Sequence, residues 1–349
     1  MENPRWSVRP PCSTWGDWGP DDQRGRMNLV TPAKRKQAVA EVKEGIAFSL
    51  SLPLDLPGGA AVNPRRLPPK LMATERQGKV NFNVPIRLLH DGATDIVCDD
   101  AALIHLQYST QWDSFAHVGQ FFDVDGDGRD EMVFYNGYRA GEDIVGTTDY
   151  RNGGEVATGG EHVGAKKLGI EHLAEGCPQT RGVMIDLHAH FGLGHRYVGF
   201  DDLRRIMDRD GIVVEPGDMV CFRTGFDRWL IGKNKTIRNR AEVDEVLFGL
   251  DGRDEKLLEW ITDSGAVAMI SDNVAVELTP PRPIKGTGPT LPMHAHCLFR
   301  LGVHLGEMWL LSDLADWLRA NGRSRFLMTA PPIRLPGAVG SPANPIATV

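Results

Sequence analysis

The chain has 349 residues, of which 41% are hydrophobic and 24% charged, and its formal net charge is −7. These values are typical of a soluble globular protein that buries a large core. The acidic balance argues against nucleic acid as a partner, because phosphate binding requires a basic surface. A membrane span is excluded too, because no stretch approaches roughly 18 continuous apolar residues.

The cysteines and the N-terminus bear on the cellular compartment. Five cysteines are odd in number, scattered and without a CxxC pair, which rules out a cysteine-rich zinc module and fits reduced thiols. The first residues lack the basic-then-apolar pattern of a secretory signal. We therefore expect a cytoplasmic protein.

The first predicted elements are a helix and a long loop. Thr31 is a good N-cap, Pro32 suits the first helical position, and an apolar-periodic run continues to Gly45 as the stop. Residues 53–69 are rich in proline and glycine and predict a loop. Such a loop is either an active-site lid or a plain surface excursion.

From residue 94 onward, short apolar runs alternate with turns and helical patterns. Residues 201–208 predict a short helix, and Met219–Arg223 and Gly265–Ile270 predict buried strands. A helix that starts near Asp254 precedes the second of these strands. A second proline- and glycine-rich stretch covers residues 279–292.

The pattern predicts one α/β domain over residues 1–349, since no repeat or composition break divides it. It has an extended N-terminal segment (1–70) and a C-terminal tail (331–349). The proline and glycine content of the tail predicts that it lies extended on the surface or on a partner subunit.

Residues 105–113 alternate in a way that predicts an extended strand with one polar face. That face consists of His105, Gln107, Ser109, Gln111 and Asp113. Buried amides and carboxylates need partners. A divalent metal held by Asp113 and the glutamine oxygens would supply one, with His117 as a base just beyond the strand. A solvated polar strand face is the alternative.

A second cluster of metal-binding residue types lies near the C-terminus. His294 and His296 fall in a proline- and glycine-bounded segment, and Glu307 follows. A histidine and a carboxylate brought to the first site would complete a mixed nitrogen and oxygen ligand set. His304 alternates in phase with two glycines, which favours a structural role for it.

The spacing Gln107-x-x-x-Gln111-x-Asp113-Ser-x-x-His117 resembles the metal-binding signature of the trans-dienelactone hydrolase branch of the "putative cyclase" superfamily. That superfamily also contains bacterial kynurenine formamidase and isatin hydrolase. Its usual motif is His-x-Gly-Thr-His-x-Asp-x-x-x-His, and glutamines replace both leading histidines here. Further similarity lies in Trp15–Leu29, Tyr135–Gly137, Arg181–Asp186, Gly217–Val220, Arg223–Gly225, Ser271–Asn273 with Glu277, and Gly340–Pro342.

The resemblance implies a swivelling β/β/α cyclase-like fold with a mixed sheet core and flanking helices, assembled as a homodimer or homotetramer. It implies His117 as the base that works beside a metal-bound water. The metal ligands it implies are Gln107, Gln111, Asp113, His294 and Glu307, with His294 favoured over its neighbour His296 by the spacing.

The two glutamines leave the metal open, because glutamine is a weak, neutral ligand compared with histidine. Either the cation is harder than zinc (manganese, magnesium or calcium), or His294 and Glu307 hold most of it, or the site has lost its metal. The function implied is the opening of a small cyclic ester, a lactone. Alternatives are a cyclic-amide or aryl-formamide hydrolase and a metal-free binding homologue without activity.

Three other patterns have a functional and a structural interpretation. His188 and His190 share one face if the strand 183–187 continues. The resemblance implies that this neighbourhood lies near the site and contacts substrate; packing is the alternative. The stretch 123–131 resembles a calcium loop, but Phe134 stands where an EF-hand needs glutamate, which favours a surface turn. Asp272, Asn273 and Glu277 predict a structural turn.

Overall fold

The computed structural model describes residues 5–151, 153–284 and 286–349. The first four residues of the predicted N-terminal segment, and residue 285 of the predicted loop 279–292, lie outside the described residues. No helix in the described ranges is long and apolar enough to cross a membrane.

A nine-stranded mixed sheet organises the fold, and its strands run in the order β1-β9-β7-β3-β4-β5-β6-β2-β8. The four neighbours from β3 to β6 are parallel and the other pairs are antiparallel. The strands are β1 (Ala47–Ser49), β2 (Gln111–Asp113), β3 (Gln179–Asp186), β4 (Met219–Arg223), β5 (Ala268–Ser271), β6 (His304–Glu307), β7 (Arg325–Thr329), β8 (Gly340–Pro342) and β9 (Ile346–Thr348).

The parallel strands are buried on both faces, as the predicted mixed α/β fold requires. Alternate residues of β4 enter different cores: Val220 and Phe222 pack in one hydrophobic cluster, Met219 and Cys221 in another. Since successive side chains point to opposite faces of a strand, the two clusters lie on the two sides of the sheet. This confirms the predicted α/β class with a mixed sheet core.

Helices flank this sheet. The α-helices are α1 (Pro32–Val39), α2 (Glu171–Glu175), α3 (His188–Phe191), α4 (Phe200–Asp210), α5 (Phe226–Lys233), α6 (Arg240–Asp244), α7 (Glu255–Ser264), α8 (Pro292–His294) and α9 (Ser312–Ala320). A π-helix covers Ala295–Leu301, and 3-10 turns cover Gly25–Leu29, Ile86–Leu88 and Tyr135–Gly137.

The capping residues explain where two helices begin. Thr31 accepts a hydrogen bond from the Lys34 N–H at 3.2 Å, as its sequence position predicts. Asp254 caps α7 through the N–H groups of Lys256 and Leu257. The predicted end of α1 at Gly45 is wrong, because the helix stops at Val39 and the Gly45 N–H instead bonds to the Val349 carbonyl.

Short two-stranded ribbons project around the sheet. They pair Lys70–Ala73 with Asp100–Leu103, Glu75–Arg76 with Lys79–Val80, Val84–Pro85 with Ile96–Val97, Gln120–Phe122 with Glu131–Val133, Ile144–Val145 with Gly164–Ala165, Thr148–Asp149 with Val156–Ala157, and Arg196–Val198 with Phe248–Leu250.

The second part of the C-terminal tail does not lie on the surface as its composition predicts, whereas residues 333–336 are exposed. Its strand β9 pairs with β1 and β7, and Ala347 and Val349 are fully buried. Its other strand, β8, pairs with β2. The sheet curls enough that Ser51, just past β1, forms an isolated bridge with Trp309, just past β6. The tail therefore supports the strand that carries Gln111 and Asp113.

Candidate metal centre

Strand pairing brings the two predicted ligand groups together. In the antiparallel pair of β2 and β6, Gln111 lies directly opposite Glu307 and Asp113 opposite Leu305. Residues opposite each other share a face, so the side chains of Gln111 and Glu307 meet. The Gln111 Nε2 donates to Glu307 Oε2 at 2.7 Å. Residues almost 200 positions apart thus become neighbours.

The predicted polar strand 105–113 is wrong in its first part, because only Gln111–Asp113 is a strand. The Tyr108 N–H bonds to the His105 carbonyl and forms a turn, so the alternation does not extend backward. His105 Nδ1 lies 3.1 Å from the Leu67 carbonyl, and Ser109 Oγ donates to the Pro53 carbonyl. Both side chains serve the loop 53–69 and not the metal centre.

Gln107 reaches the centre from this turn. Its Nε2 donates to Asp113 Oδ1 at 3.3 Å and lies 2.9 Å from His117 Nδ1. Gly340 on β8, opposite Asp113, leaves the space: a Cβ there would lie 2.8 Å from three atoms of the Gln107 side chain. Both predicted glutamines therefore lie at the centre, with amide nitrogens directed at carboxylates.

His294 enters from the end of α8, and Glu277 fixes its imidazole. His294 Nδ1 donates to Glu277 Oε1 at 2.8 Å, and the backbone N–H groups of Met293 and His294 also donate to that carboxylate. His296 points elsewhere, with its Nε2 2.9 Å from Thr262 Oγ1. The structure thus places His294, and not His296, beside Glu307, at 3.2 Å.

Asp113, His117 and His294 each direct one ligand atom into a group whose members lie within 4.8 Å of one another. His117 Nε2 is 3.9 Å from Asp113 Oδ1, and His294 Nε2 is 3.8 Å from Asp113 Oδ2. These separations are too long for hydrogen bonds. They are close to the roughly 3.4 Å that separates two ligands of one tetrahedral ion with bonds near 2.1 Å.

Two buried oxygen atoms show that the donor set fits a cation. Asp113 Oδ2 and Gln111 Oε1 are buried and have no hydrogen-bond partner among the described residues. Buried polar atoms are almost always satisfied, so each unpartnered one needs an explanation. Both are oxygens of a kind that binds divalent cations, and Asp113 is fully buried. A divalent metal would satisfy both.

The pKa values of the cluster reflect its crowded carboxylates. Burial and the negative charge of Asp113 raise the pKa of Glu307 to about 7. Burial opposes protonation of His294, but hydrogen bonds and charges from Glu277 and Glu307 outweigh it and raise its pKa to about 10. Burial lowers the pKa of His117 below its ordinary value, with a further contribution from the charge of His294. His117 is therefore neutral at pH 7.

Metal uptake should depend steeply on pH because these protons compete with the cation. Between pH 7 and 10, metal binding releases the His294 proton, so the metal affinity should rise by about tenfold for each unit of increasing pH. Below pH 7 Glu307 is protonated as well, so metal binding releases two protons. The metal affinity should then rise by nearly 100-fold per pH unit. Metal titration calorimetry at several pH values measures both slopes. A pH-independent affinity from pH 6 to 9 would contradict this arrangement.

Glu277 orients a ligand without reaching the centre itself. Replacing Glu277 with Gln keeps the shape but removes the charge that holds the His294 Nδ1–H. A residue that hydrogen-bonds to a metal ligand typically contributes roughly 10- to 100-fold to metal affinity, so we expect the metal affinity of this variant to fall by that factor. Competition with a chromophoric chelator measures it. Glu259→Gln, on α7, is the matched control and should bind metal like the wild type.

His304 has the structural role that its alternation with two glycines predicts. It points to the opposite face of β6 from Glu307, donates from Nδ1 to the Asp113 carbonyl at 3.0 Å, and stacks on Phe115. Burial lowers its pKa to about 4. It is therefore a neutral residue that holds the backbone of β2.

A cavity of about 460 Å³ opens onto the centre. His117, His294, Glu307 and Gln107 line its inner part, and the loop 53–69 forms one wall with Arg65 and Arg66. The Tyr108 hydroxyl anchors this loop: it accepts from the Gly58 N–H and donates to the Gly59 carbonyl. The loop thus lines the cavity and is not a plain surface excursion, which was one of the two interpretations of its sequence.

His188 and His190 do not lie on a strand as predicted. The strand β3 ends at Asp186, whose carboxylate accepts the Ala189 N–H, and the histidines begin the short helix α3. His190 Nε2 lies 2.8 Å from Asp210 Oδ2. Neither histidine is among the described residues that line the cavity at the metal centre. Their predicted substrate contacts gain no support from this placement.

Sequence reasoning missed two features of the centre. The sequence predicted a structural turn at Glu277. The signal that could have indicated a role at the centre is that Glu277 belongs to a segment similar to the family and follows a buried strand. Arg65 and Arg66 had no signal within a proline-rich loop. The acidic loop at Asp123 agrees with its prediction as a turn, since its carboxylate accepts the N–H groups of Gly126, Asp127 and Gly128.

Residues 49–278 match the family model described as "Putative cyclase". A crystal structure described as a novel cyclase is 29% identical, with a TM-score of 0.72, and the match covers 98% of this chain and 100% of that one. No curated protein matches the chain.

Two solved isatin hydrolases share the fold at lower identity. Isatin hydrolase A from Labrenzia aggregata, bound to benzyl benzoate, is 12% identical with a TM-score of 0.54, covering 89% of this chain and 95% of that one. Isatin hydrolase A from Ralstonia solanacearum is 14% identical with a TM-score of 0.53, covering 89% and 93%. The predicted cyclase-like fold is thereby confirmed.

Proposed function

This chain belongs to the "putative cyclase" family, and from that premise we propose that it is a metal-dependent hydrolase that opens a small cyclic ester. The observation that carries the proposal is the buried Asp113 Oδ2, which has no hydrogen-bond partner among the described residues. It lies 3.8 Å from Nε2 of His294, which lines the cavity. A carboxylate in that setting needs a cation.

The residues that would hold the metal are Asp113, His294 and Glu307, with the Gln111 oxygen as a neutral addition. Gln107 directs its amide nitrogen at Asp113 and His117. A divalent cation bound there would polarise the substrate carbonyl and lower the pKa of a water molecule. Two carboxylates and one imidazole give a mostly oxygen set, which suits manganese or another cation harder than zinc. Both glutamines are neutral, so they leave the charge of the site unchanged and affect its geometry.

His117 is the proposed general base. It is partly exposed to the cavity, with 21% of its side chain accessible, whereas Asp113 is fully buried. Its lowered pKa keeps it neutral and able to accept a proton at pH 7. It would take the proton from the attacking water and return it to the leaving oxygen. The Gln107 amide nitrogen lies 2.9 Å from its Nδ1 and positions the neutral ring.

A lactone is the proposed substrate because the spacing from Gln107 to His117 resembles the dienelactone hydrolase branch. The second candidate is a cyclic amide. It is favoured by the shared fold with isatin hydrolases, and the same residues would act on a nitrogen leaving group. The cavity of about 460 Å³ has the size of pockets that take small cyclic molecules.

Elemental analysis of the purified protein, followed by a lactone and cyclic-amide panel with several divalent metals, tests this proposal. We expect bound metal, hydrolysis of at least one lactone, and loss of activity on chelation that metal restores. A protein without metal and without turnover on any member of the panel would instead be the non-catalytic binding homologue.

A further inference from the structure

The Gln107 amide lies between a carboxylate of the centre and the proposed base. Its Nε2 is 3.3 Å from Asp113 Oδ1 and 2.9 Å from His117 Nδ1. From this arrangement we propose that Gln107 is a positioning residue that decides which ring nitrogen of His117 carries the proton, according to the charge on Asp113. The inference rests on the proposed function, because it concerns how His117 becomes able to act as the base.

The hydrogen bonds of Gln107 define the tautomer of His117. An amide nitrogen only donates, and it carries two hydrogens. One of them is directed at the Asp113 carboxylate and the other at His117 Nδ1, which therefore accepts. A neutral imidazole that accepts at one nitrogen carries its proton on the other. The proton of His117 is thus on Nε2, the nitrogen that is left to face the cavity.

The charge of Asp113 selects this orientation of the amide. The reverse orientation would bring Gln107 Oε1 close to Asp113 Oδ1, and two acceptors repel each other. Asp113 is fully buried, so water does not screen that repulsion. Packing against Gly340 holds the side chain in place, but it does not choose between the orientations, because amide oxygen and nitrogen are similar in size.

His294 has the opposite kind of partner in the same centre. Its Nδ1 donates to Glu277 Oε1 at 2.8 Å, and its Nε2 faces Glu307 at 3.2 Å. A carboxylate at Nδ1 directs the Nε2 lone pair of His294 to a cation once its second proton has left. An amide nitrogen at Nδ1 does the reverse for His117, since it keeps the proton on Nε2.

The second glutamine of the centre does not make this connection. Gln111 Nε2 donates to Glu307 Oε2 at 2.7 Å, and its Oε1 has no hydrogen-bond partner among the described residues. Its side chain therefore contacts a carboxylate but no histidine in that part of the chain. Of the two glutamines, Gln107 is the one that links a carboxylate to the base.

Compensation of the Asp113 charge removes the reason for this orientation. The Gln107 amide is then free to turn its Oε1 to the imidazole and accept an Nδ1–H. One proton leaves Nε2 to water and one arrives at Nδ1, so the ring stays neutral and its Nε2 lone pair faces the cavity. His117 is thus able to accept a proton only when the Asp113 charge is compensated, as it is when the centre holds a cation.

Nitrogen-15 NMR of protein labelled in its histidine rings reads this tautomer directly, and His117→Ala identifies the signals of His117. We expect Nε2–H in the metal-free wild type and Nδ1–H after saturation with zinc, which is diamagnetic. An Nδ1–H ring in the metal-free protein would overturn the proposal. Direct ligation of His117 Nε2 by zinc would also place the proton on Nδ1, so the deciding comparison is made without metal.

Asp113→Asn removes the charge without a cation. In metal-free protein it should shift the tautomer ratio of His117 toward Nδ1–H by about fivefold, the factor that corresponds to the net contribution of one hydrogen bond. Asp91→Asn, at an exposed position, is the matched control. An unchanged ratio in Asp113→Asn would overturn the proposal.

A double variant shows whether the effect passes through Gln107. Asp113 Oδ1 is 3.9 Å from His117 Nε2, so its charge also favours a proton on Nε2 directly. Gln107→Met removes the amide, and in that background Asp113→Asn should shift the ratio by less than about twofold. An equal shift with and without Gln107 would assign the effect to the direct charge and overturn the role of Gln107. Gln77→Met, in an exposed turn, is the control background.

These measurements need no turnover, which separates them from the proposed function. A tautomer shift that depends on Gln107, in a protein that hydrolyses no lactone, would leave the role of Gln107 standing and sink the proposed function. Lactone hydrolysis by a protein whose His117 tautomer does not respond to Asp113→Asn would overturn the role of Gln107 alone.

Discussion

Asp113→Asn should lose both its metal and its activity. The substitution keeps the size of the side chain but removes the negative charge from a fully buried position whose Oδ2 has no hydrogen-bond partner among the described residues. The loss of metal affinity should exceed the roughly 100-fold that is typical of residues hydrogen-bonded to a metal ligand, because Asp113 would bind the cation directly. Elemental analysis after dialysis against low metal, together with lactone turnover, measures both losses.

Misfolding would give the same losses, so stability must be measured on metal-free protein. Without metal, Asp113 and Glu307 repel each other, and the charge of Asp113 is one cause of the raised pKa of Glu307. Removing the charge should leave the metal-free melting temperature unchanged or higher, and should lower the pKa of Glu307. Asp91→Asn, on the exposed surface, is the matched control. A variant that retains metal and rate would remove Asp113 from the centre.

His117→Ala should lower kcat by about 10²- to 10⁴-fold, the usual contribution of a positioned general base. The metal should stay bound, because Asp113, His294 and Glu307 do not depend on this imidazole. Added imidazole should restore part of the rate, since truncation leaves space beside the cavity. Single-turnover kinetics and metal content are measured on the same preparation.

The metal content of His117→Ala decides between two roles, because His117 Nε2 lies only 3.9 Å from Asp113 Oδ1. Loss of the metal along with the rate would make His117 a ligand and not the base. Full turnover with the metal retained would remove it from the mechanism. His90→Ala, at an exposed position, should behave like the wild type in both measurements.

Much of the fold could be predicted from local patterns. The N-cap Thr31 and Pro32 of α1, the helix α4 and the buried strands β4 and β5 follow from residue preferences and periodicity within short windows. The C-terminal tail could not be predicted this way. Its composition indicates a surface segment, but its short strands are stabilised by pairing with β1, β2 and β7, which are distant in sequence.

The candidate site divides in a similar way. Residue types together with the resemblance to the family signature single out Asp113, His117, His294 and Glu307. The periodicity of 105–113 predicts a longer strand than exists, since the alternation of polar residues cannot reveal the turn that Tyr108 makes. Gln107 still reaches the centre, but from that turn.

The sequence by itself determined the α/β class, the family signature and the residues that would serve a metal. Only the tertiary structure decided that Gln111 faces Glu307, that His294 and not His296 joins them, and that Glu277 fixes His294. It also decided that Arg65 and Arg66 share a cavity with His117. The reason is physical: a site assembled from β2, β6, α8 and a distant loop depends on strand register and loop anchoring, which local sequence does not encode.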